Sequence, residues 1–113
     1  MTDAPRALIL VVEGESRIRT VLKDAATTLN EPVVISVSSV DDAMALLNQW
    51  RPMLVIVDAD QEVSVTKALR RVVKQCEPAL LLIEVARMPS TNRTRIHISD
   101  LVEAVRLICR RRG

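Results

Sequence analysis

Carboxylates follow two of the apolar runs in this sequence, at the points where buried strands would end. The acids are Glu13 and Glu15 after the run at 7–12, and Asp58 and Asp60 after the run at 53–57. Acids at the carboxyl ends of strands stand where ligands and chemistry are found in an open α/β sheet. A structural alternative is as simple, because acids near helix N-termini are stabilised by the helix dipole. The two groups therefore predict a joint site only if the strands before them are neighbours.

Strand-like and helix-like segments alternate along the chain, and this order predicts how the acids are positioned. Four solid apolar runs are typical of strands buried on both faces, and the segments between them carry apolar residues at helical spacing. A brief fifth strand is predicted at 96–98, and Ser39 and Ser99 are predicted to cap the helices that follow them. The predicted strands are 7–12, 32–37, 53–57, 79–85 and 96–98, and the predicted helices are 17–30, 41–50, 63–76 and 100–111.

This alternation predicts an α/β fold, with a doubly wound five-stranded parallel sheet in a single domain over residues 1–113. In such a sheet, ligands bind beyond the carboxyl ends of the strands, where the strand order reverses. The first and third strands are neighbours there. We therefore expect Glu13 and Asp58 to converge on one rim.

Composition excludes several classes of protein. Hydrophobic residues make up 49% of the chain, which argues against disorder. Trp50 is the only aromatic residue, so a base-stacking nucleic-acid platform is disfavoured. Residues 1–63 carry ten acids and five bases, whereas residues 64–113 carry four acids and eleven bases. Solvated helix faces explain this asymmetry better than a nucleic-acid-binding patch does. We expect no membrane span, no signal peptide and a cytoplasmic location, with Cys76 and Cys109 as buried, reduced thiols.

Three stretches together resemble the receiver domain of bacterial two-component response regulators. They are "ALILVVEGESRIRTVLKDAATTL" at 7–29, "SVDDAMALLNQWRPMLVIVDAD" at 39–60 and "ISDLVEAVRLICRRR" at 98–112, and they span nearly the whole chain. The resemblance implies a flavodoxin-like, receiver-like fold that is not an enzyme. It also implies that Asp58 is the phosphoacceptor, taking a phosphoryl group from a histidine kinase with the help of Mg²⁺.

The acidic pocket departs from the receiver pattern. Glu13 and Gly14 stand where the family has two acids, Glu15 lies one residue past them, and Asp60 matches a position that normally lends only its backbone carbonyl. We interpret Glu13, Glu15 and Asp60 as a degenerate acidic pocket. We therefore predict that no cofactor is retained. If Mg²⁺ were bound, Glu13 and Asp58 are the residues that would contact it.

The residues that contact the phosphoryl group in receivers are also missing. The candidates for the expected hydroxyl residue after the fourth strand are Ile83, Glu84 and Val85. Glu84 there is expected to repel a phosphoryl group. The expected lysine after the fifth strand is absent, and the nearest bases are Arg93 and Arg95. The spacing also predicts that the fourth helix is lost or shortened to a turn at Pro89–Arg93.

Two readings of function follow. The first is a pseudo-receiver, an interaction or dimerisation module with impaired phosphorylation, whose protein partner is a histidine kinase, an output domain or a second copy. The alternative is a working phosphoacceptor with a relaxed Mg²⁺ site. That alternative would control transcription through a separate output domain. We expect the chain to be the N-terminal part of a longer regulator, with nucleic acid bound only through a separate output domain. An enzyme or a small-ligand binder is disfavoured, because the sequence has no Gly-rich phosphate loop and no nucleophile–base pair.

Overall fold

Five parallel strands and four α-helices make up the described part of the chain. The computed structural model describes residues 8–14, 17–24, 33–61, 63–76, 80–86 and 95–112. The strands are β1 (Leu8–Val12), β2 (Val33–Val37), β3 (Leu54–Asp58), β4 (Leu82–Ala86) and β5 (Arg95–His97). The helices are α1 (Arg17–Asp24), α2 (Val40–Gln49), α3 (Val63–Gln75) and α4 (Leu101–Arg112), and a 3₁₀ turn, Ile98–Asp100, precedes α4.

The sheet has the order β2-β1-β3-β4-β5, and every neighbouring pair is parallel. The predicted doubly wound five-stranded sheet is therefore confirmed. Strand β1 lies between β2 and β3, which places the reversal of strand order beside the end of β1. The register sets Val12 opposite Val57, and Asp58 opposite Val85.

Each face of the sheet carries its own core, because successive side chains of a strand point to opposite faces. The core of the α1/α4 face is Ile9, Val11, Ile18, Leu22, Met53, Leu54, Ile56, Ile83, Val85, Leu101 and Val105. The core of the α2/α3 face is Leu10, Val12, Ala43, Leu47, Val55, Val57, Leu69 and Val73. Fully burying one aliphatic side chain of this size contributes ~1.5–3 kcal/mol, so these two layers hold the strand ends in register.

Side chains cap helix α2 and the 3₁₀ turn. Ser39 accepts a hydrogen bond from the Asp42 backbone N–H at 3.1 Å, which confirms the cap predicted for α2. The predicted Ser99 cap of the last helix is wrong. His97 Nδ1 accepts the Ser99 N–H at 3.1 Å, and the 3₁₀ turn begins directly after it. A ring nitrogen without its proton accepts as a hydroxyl does, so the helical segment starts earlier than the serine suggested.

The segment between β4 and β5 is short. Strand β4 begins at Leu82, three residues later than predicted, and ends at Ala86, and β5 begins at Arg95. Within the described ranges no helix separates the two strands. The predicted helix remnant at Pro89–Arg93 lies outside those ranges.

Two further expectations concern cysteines and membranes. Cys76 is partly exposed rather than buried, and its Sγ lies 3.4 Å from the Val72 carbonyl oxygen. The side chain of Cys109 lies outside the described part. Of the helices seen in the described ranges, none is long and apolar enough to cross a bilayer.

Candidate functional site

The carboxyl ends of β1 and β3 bring two predicted site residues together. Glu13 and Asp58 are the next residues after the paired Val12 and Val57. Neighbouring strands lie ~4.8 Å apart, so their backbones are adjacent. Both residues continue the alternation of the α1/α4 core, Glu13 after Val11 and Asp58 after Ile56, and therefore share one face. The two acids predicted to meet on one rim occupy adjacent places there.

The Glu13 carboxylate is buried beneath the start of α1. Its side chain belongs to a residue only 3% exposed. Oε1 accepts the backbone N–H of Ile18 at 2.9 Å, and Oε2 accepts that of Arg19 at 3.0 Å. The Ser36 hydroxyl lies 3.4 Å from Oε2. Glu13 thus caps α1, satisfying two of the N–H groups that every helix leaves without an intrahelical partner.

Asp58 has a different environment at the end of β3. It is half-buried, and Oδ1 accepts the backbone N–H of Asp60 at 2.9 Å. The Gln61 side-chain amide donates to the carbonyl oxygens of Val12 at 3.0 Å and Asp58 at 3.3 Å. Gln61 therefore ties the ends of β1 and β3 together, a role that sequence reasoning missed. Its position three residues after Asp58 is the only signal that pointed to it.

A small open cleft lies beside Asp58. Its described lining residues are Arg17, Ile18, Asp58, Asp60, Val85, Ala86 and Ile98. Val85 lies opposite Asp58 in the register, so it is the residue beside Asp58 among the three candidates for the family's hydroxyl. The wall there is apolar. Arg17, the first residue of α1, is a second residue of the site that sequence reasoning missed, although its place just after the acidic rim was a usable signal.

Glu84 does not take part in this cleft, so the expectation that it repels a phosphoryl group beside Asp58 is wrong. Strand alternation turns it to the α2/α3 face, where it is buried. Arg70 of α3 donates to both its oxygens, from Nε and Nη2, each at 2.6 Å. Arg95 Nε lies 3.6 Å from Oε1. The hydrogen bonds to Glu84 raise the pKa of Arg70 above its ordinary value, against a lowering by burial, so Arg70 remains charged.

Gly14 is not required by the backbone. Its φ lies outside the left-handed region, and among the described residues a Cβ built on it would meet Gln61 Oε1, at 4.0 Å. That is ordinary van der Waals contact. The position therefore has room for a side chain, and a need for glycine in the strand-to-helix turn does not explain the residue.

The described residues fit a bound Mg²⁺ poorly. Mg²⁺ demands near-octahedral oxygen ligands, whereas both Glu13 oxygens accept backbone N–H groups. In the described ranges no three His, Cys, Asp or Glu side chains cluster as metal ligands. Glu15 lies outside those ranges. Of the described residues, Asp58 and Asp60 are the acids that line the cleft.

Comparison with solved structures identifies the fold. A response regulator from Thermotoga maritima superposes with a TM-score of 0.69 at 16% identity, covering 94% of this chain and 99% of that one. The signal receiver domain of an HD domain-containing protein from Pseudomonas fluorescens Pf-5 gives a TM-score of 0.68 at 17% identity, covering 95% and 97%. This chain has the receiver fold. An orphan response regulator of H. pylori is similar too, with a TM-score of 0.64 at 16% identity and coverage of 93% and 99%.

Sequence comparison adds no closer relative to this receiver-fold chain. No family model matches it, and no curated protein matches it significantly. The resemblance carried by the three sequence stretches and the superpositions on solved structures agree on the fold. The predicted five-stranded, receiver-like architecture is therefore confirmed.

Proposed function

We propose that this chain is a receiver-type signalling module that works through protein contacts and does not depend on Mg²⁺-assisted phosphorylation of Asp58. The observation that carries the proposal is the use of the Glu13 carboxylate as a buried cap. The residue that matches the family's first acid gives both oxygens to the backbone of α1. Releasing it to a metal would leave two N–H groups without acceptors, at a cost of ~1–3 kcal/mol each.

The walls of the cleft support the same proposal. Val85 and Ala86 offer no hydroxyl to a phosphoryl oxygen beside Asp58. Without a hydroxyl there, a phosphoryl group would have few donors to draw it toward β4. Phosphorylation of Asp58 would then have little effect on the position of β4, and contact with partners does not depend on such a movement.

Partner contact, in this proposal, is the whole activity of the module in the cytoplasm. The partner is a histidine kinase or an output domain of the same regulator, or a second copy of the chain. Nucleic acid is reached only through such an output domain. Sedimentation equilibrium of the chain alone tests the second-copy option, since a self-associating module gains mass with concentration.

A working phosphoacceptor is the second candidate, and one observation favours it. Asp58 is half-buried at the mouth of an open cleft that Arg17 also lines. A guanidinium presents a planar fork of donors that suits phosphoryl oxygens. In that case an arginine would take the part of the missing lysine.

Mass spectrometry after incubation with acetyl phosphate separates the two candidates. The proposed function predicts no added phosphoryl mass, or a trace that is the same with and without Mg²⁺. An addition that requires Mg²⁺ and disappears in Asp58→Asn would establish the second candidate instead. Asp60→Asn is the matched control, since it removes an acid from the same cleft and leaves Asp58 in place.

A further inference from the structure

The cleft beside Asp58 contains a positive charge of its own. Arg17 and the two acids Asp58 and Asp60 line the same small space. Arg17 is half-buried at the first position of α1, whereas Arg19, two residues later, is exposed. The two arginines on one helix therefore differ in whether they border the acids.

Helix α1 is held so that Arg17 stays at the cleft. The Glu13 carboxylate accepts the N–H groups of the two residues after Arg17, Ile18 and Arg19. Ile18 is buried against the α1/α4 core and lines the cleft itself. The cap and the core contact together fix the backbone of the first turn, on which Arg17 borders the cleft.

A guanidinium that borders the cleft and a divalent cation compete for the same negative charge. Asp58 and Asp60 together carry two negative charges, and the described lining residues include one cation, Arg17. A cation beside two carboxylates makes the electrostatic potential in the cleft less negative and repels a second cation. Even at the dielectric constant of water, one unit charge ~6 Å from a divalent ion changes its binding by roughly tenfold.

We propose that Arg17 is the built-in counter-ion of the Asp58 cleft and keeps divalent cations out of it. This inference rests on the proposed function, because it explains how a receiver-fold site is kept stable without Mg²⁺. It assigns Arg17 a positioning and electrostatic role, with no group transferred. The role of Glu13 then follows as well, since its cap holds the helix end that carries the arginine.

Mn²⁺ serves as the probe, because its unpaired electrons broaden the amide signals of nearby residues. The signals of Asp58, Ala59 and Asp60 are followed in ¹⁵N-labelled full chain as Mn²⁺ is added. Four proteins are compared: the unsubstituted chain, Arg17→Ala, Arg17→Lys and Arg19→Ala. Arg17→Lys keeps the charge, and Arg19→Ala removes an arginine from the same helix without touching the cleft. Thermal melts confirm that each variant is folded.

The expected result is weak, unsaturable broadening in the unsubstituted chain, in Arg17→Lys and in Arg19→Ala. Arg17→Ala is expected to bind Mn²⁺ at least about tenfold more tightly, with saturation centred on Asp58. Unchanged binding in Arg17→Ala, or an equal gain in Arg19→Ala, overturns the role of Arg17 and leaves the proposed function standing. Tight, saturable binding in the unsubstituted chain overturns the proposed function itself, and the counter-ion with it.

Discussion

Among the residues that the structure describes, two glutamates are buried, and their carboxylates are stabilised in different ways. Glu13, at the end of β1 on the α1/α4 face, is held by backbone N–H groups of α1. Glu84, in β4 on the α2/α3 face, is held by Arg70 and lies 3.6 Å from Arg95. Backbone donors are fixed by the helix they belong to, whereas arginine side chains can leave for water. The Glu13 carboxylate is therefore part of the α1 backbone structure, whereas the Glu84 carboxylate is held by ion pairs that side-chain movement can break.

Removing the Glu13 carboxylate should have the largest effect on stability. Glu13→Ala leaves the Ile18 and Arg19 N–H groups without their acceptors, and we expect a loss of about 3 kcal/mol in the free energy of unfolding. Glu13→Gln keeps the shape and one acceptor oxygen, so it should lose about half as much. Urea denaturation followed by circular dichroism measures both. A loss below ~1 kcal/mol for Glu13→Ala would mean that the cap is dispensable and the acid was free for another role.

Breaking the Glu84 pair should cost less, because water reaches it. Arg70→Ala leaves a buried carboxylate whose nearest remaining cation, Arg95, is 3.6 Å away. Fully buried pairs lose ~3–5 kcal/mol on such a change. The Arg70 side chain is 39% exposed, so solvent screening reduces the expected loss to about 2 kcal/mol. The exposed Arg71→Ala is the control, expected within ~0.5 kcal/mol of the unsubstituted chain. If Arg70→Ala were equally harmless, the ion pair would contribute nothing.

The sequence predicted the sheet better than it predicted these side chains. Apolar runs bounded by polar residues and a strand–helix alternation were enough to place β1 and β3 as neighbours and to bring Glu13 beside Asp58. Strand alternation also separates Glu84 from Asp58, but only once β4 is known to begin at Leu82 and to pair Asp58 with Val85. A shift of one residue in a strand exchanges the two faces. The misplacement of Glu84 came from that uncertainty.

The role of Glu13 could not be read from its residue type. An acid at the end of a strand and before a helix suits a metal ligand and a helix cap equally well. What decides between them is the direction of the two oxygens, which depends on how α1 packs on the sheet. Arg17 was missed for a related reason, since a base at a helix start is unremarkable until the helix is docked against Asp58.

The solvent-exposed Ser39 cap gives a stability contribution with which that of the buried Glu13 cap can be compared. Ser39 accepts the Asp42 N–H at the start of α2 in a solvent-exposed setting. Ser39→Ala should lose about 1 kcal/mol, the typical value for such a cap. The same urea titration measures it, with Ser38→Ala, one residue before the cap, as the control. A loss equal to that of Glu13→Ala would remove the contrast between a buried carboxylate cap and a surface hydroxyl cap.

Substitution of Gly14 should have the smallest effect on stability and the sharpest meaning for the site. Among the described residues, apart from its chain neighbours, a Cβ there would have no heavy-atom neighbour closer than 4.0 Å, and the backbone is not left-handed. Gly14→Ala should therefore be neutral or stabilise by up to ~0.5 kcal/mol, since it reduces the freedom of the unfolded chain. Gly14→Asp, which restores a second acid after β1, should stay within about 0.5 kcal/mol of the unsubstituted chain.

The two Gly14 variants distinguish two explanations for the glycine: a requirement of the turn, or the loss of a metal-binding acid. A loss of more than ~1 kcal/mol in both variants would mean that the turn itself needs glycine, and the missing acid would then say nothing about a metal. If both are tolerated, no requirement of the fold keeps a carboxylate away from residue 14. The absence of an acid there is then a property of the site, in agreement with a cleft where Glu13 serves the helix and Arg17 supplies the positive charge.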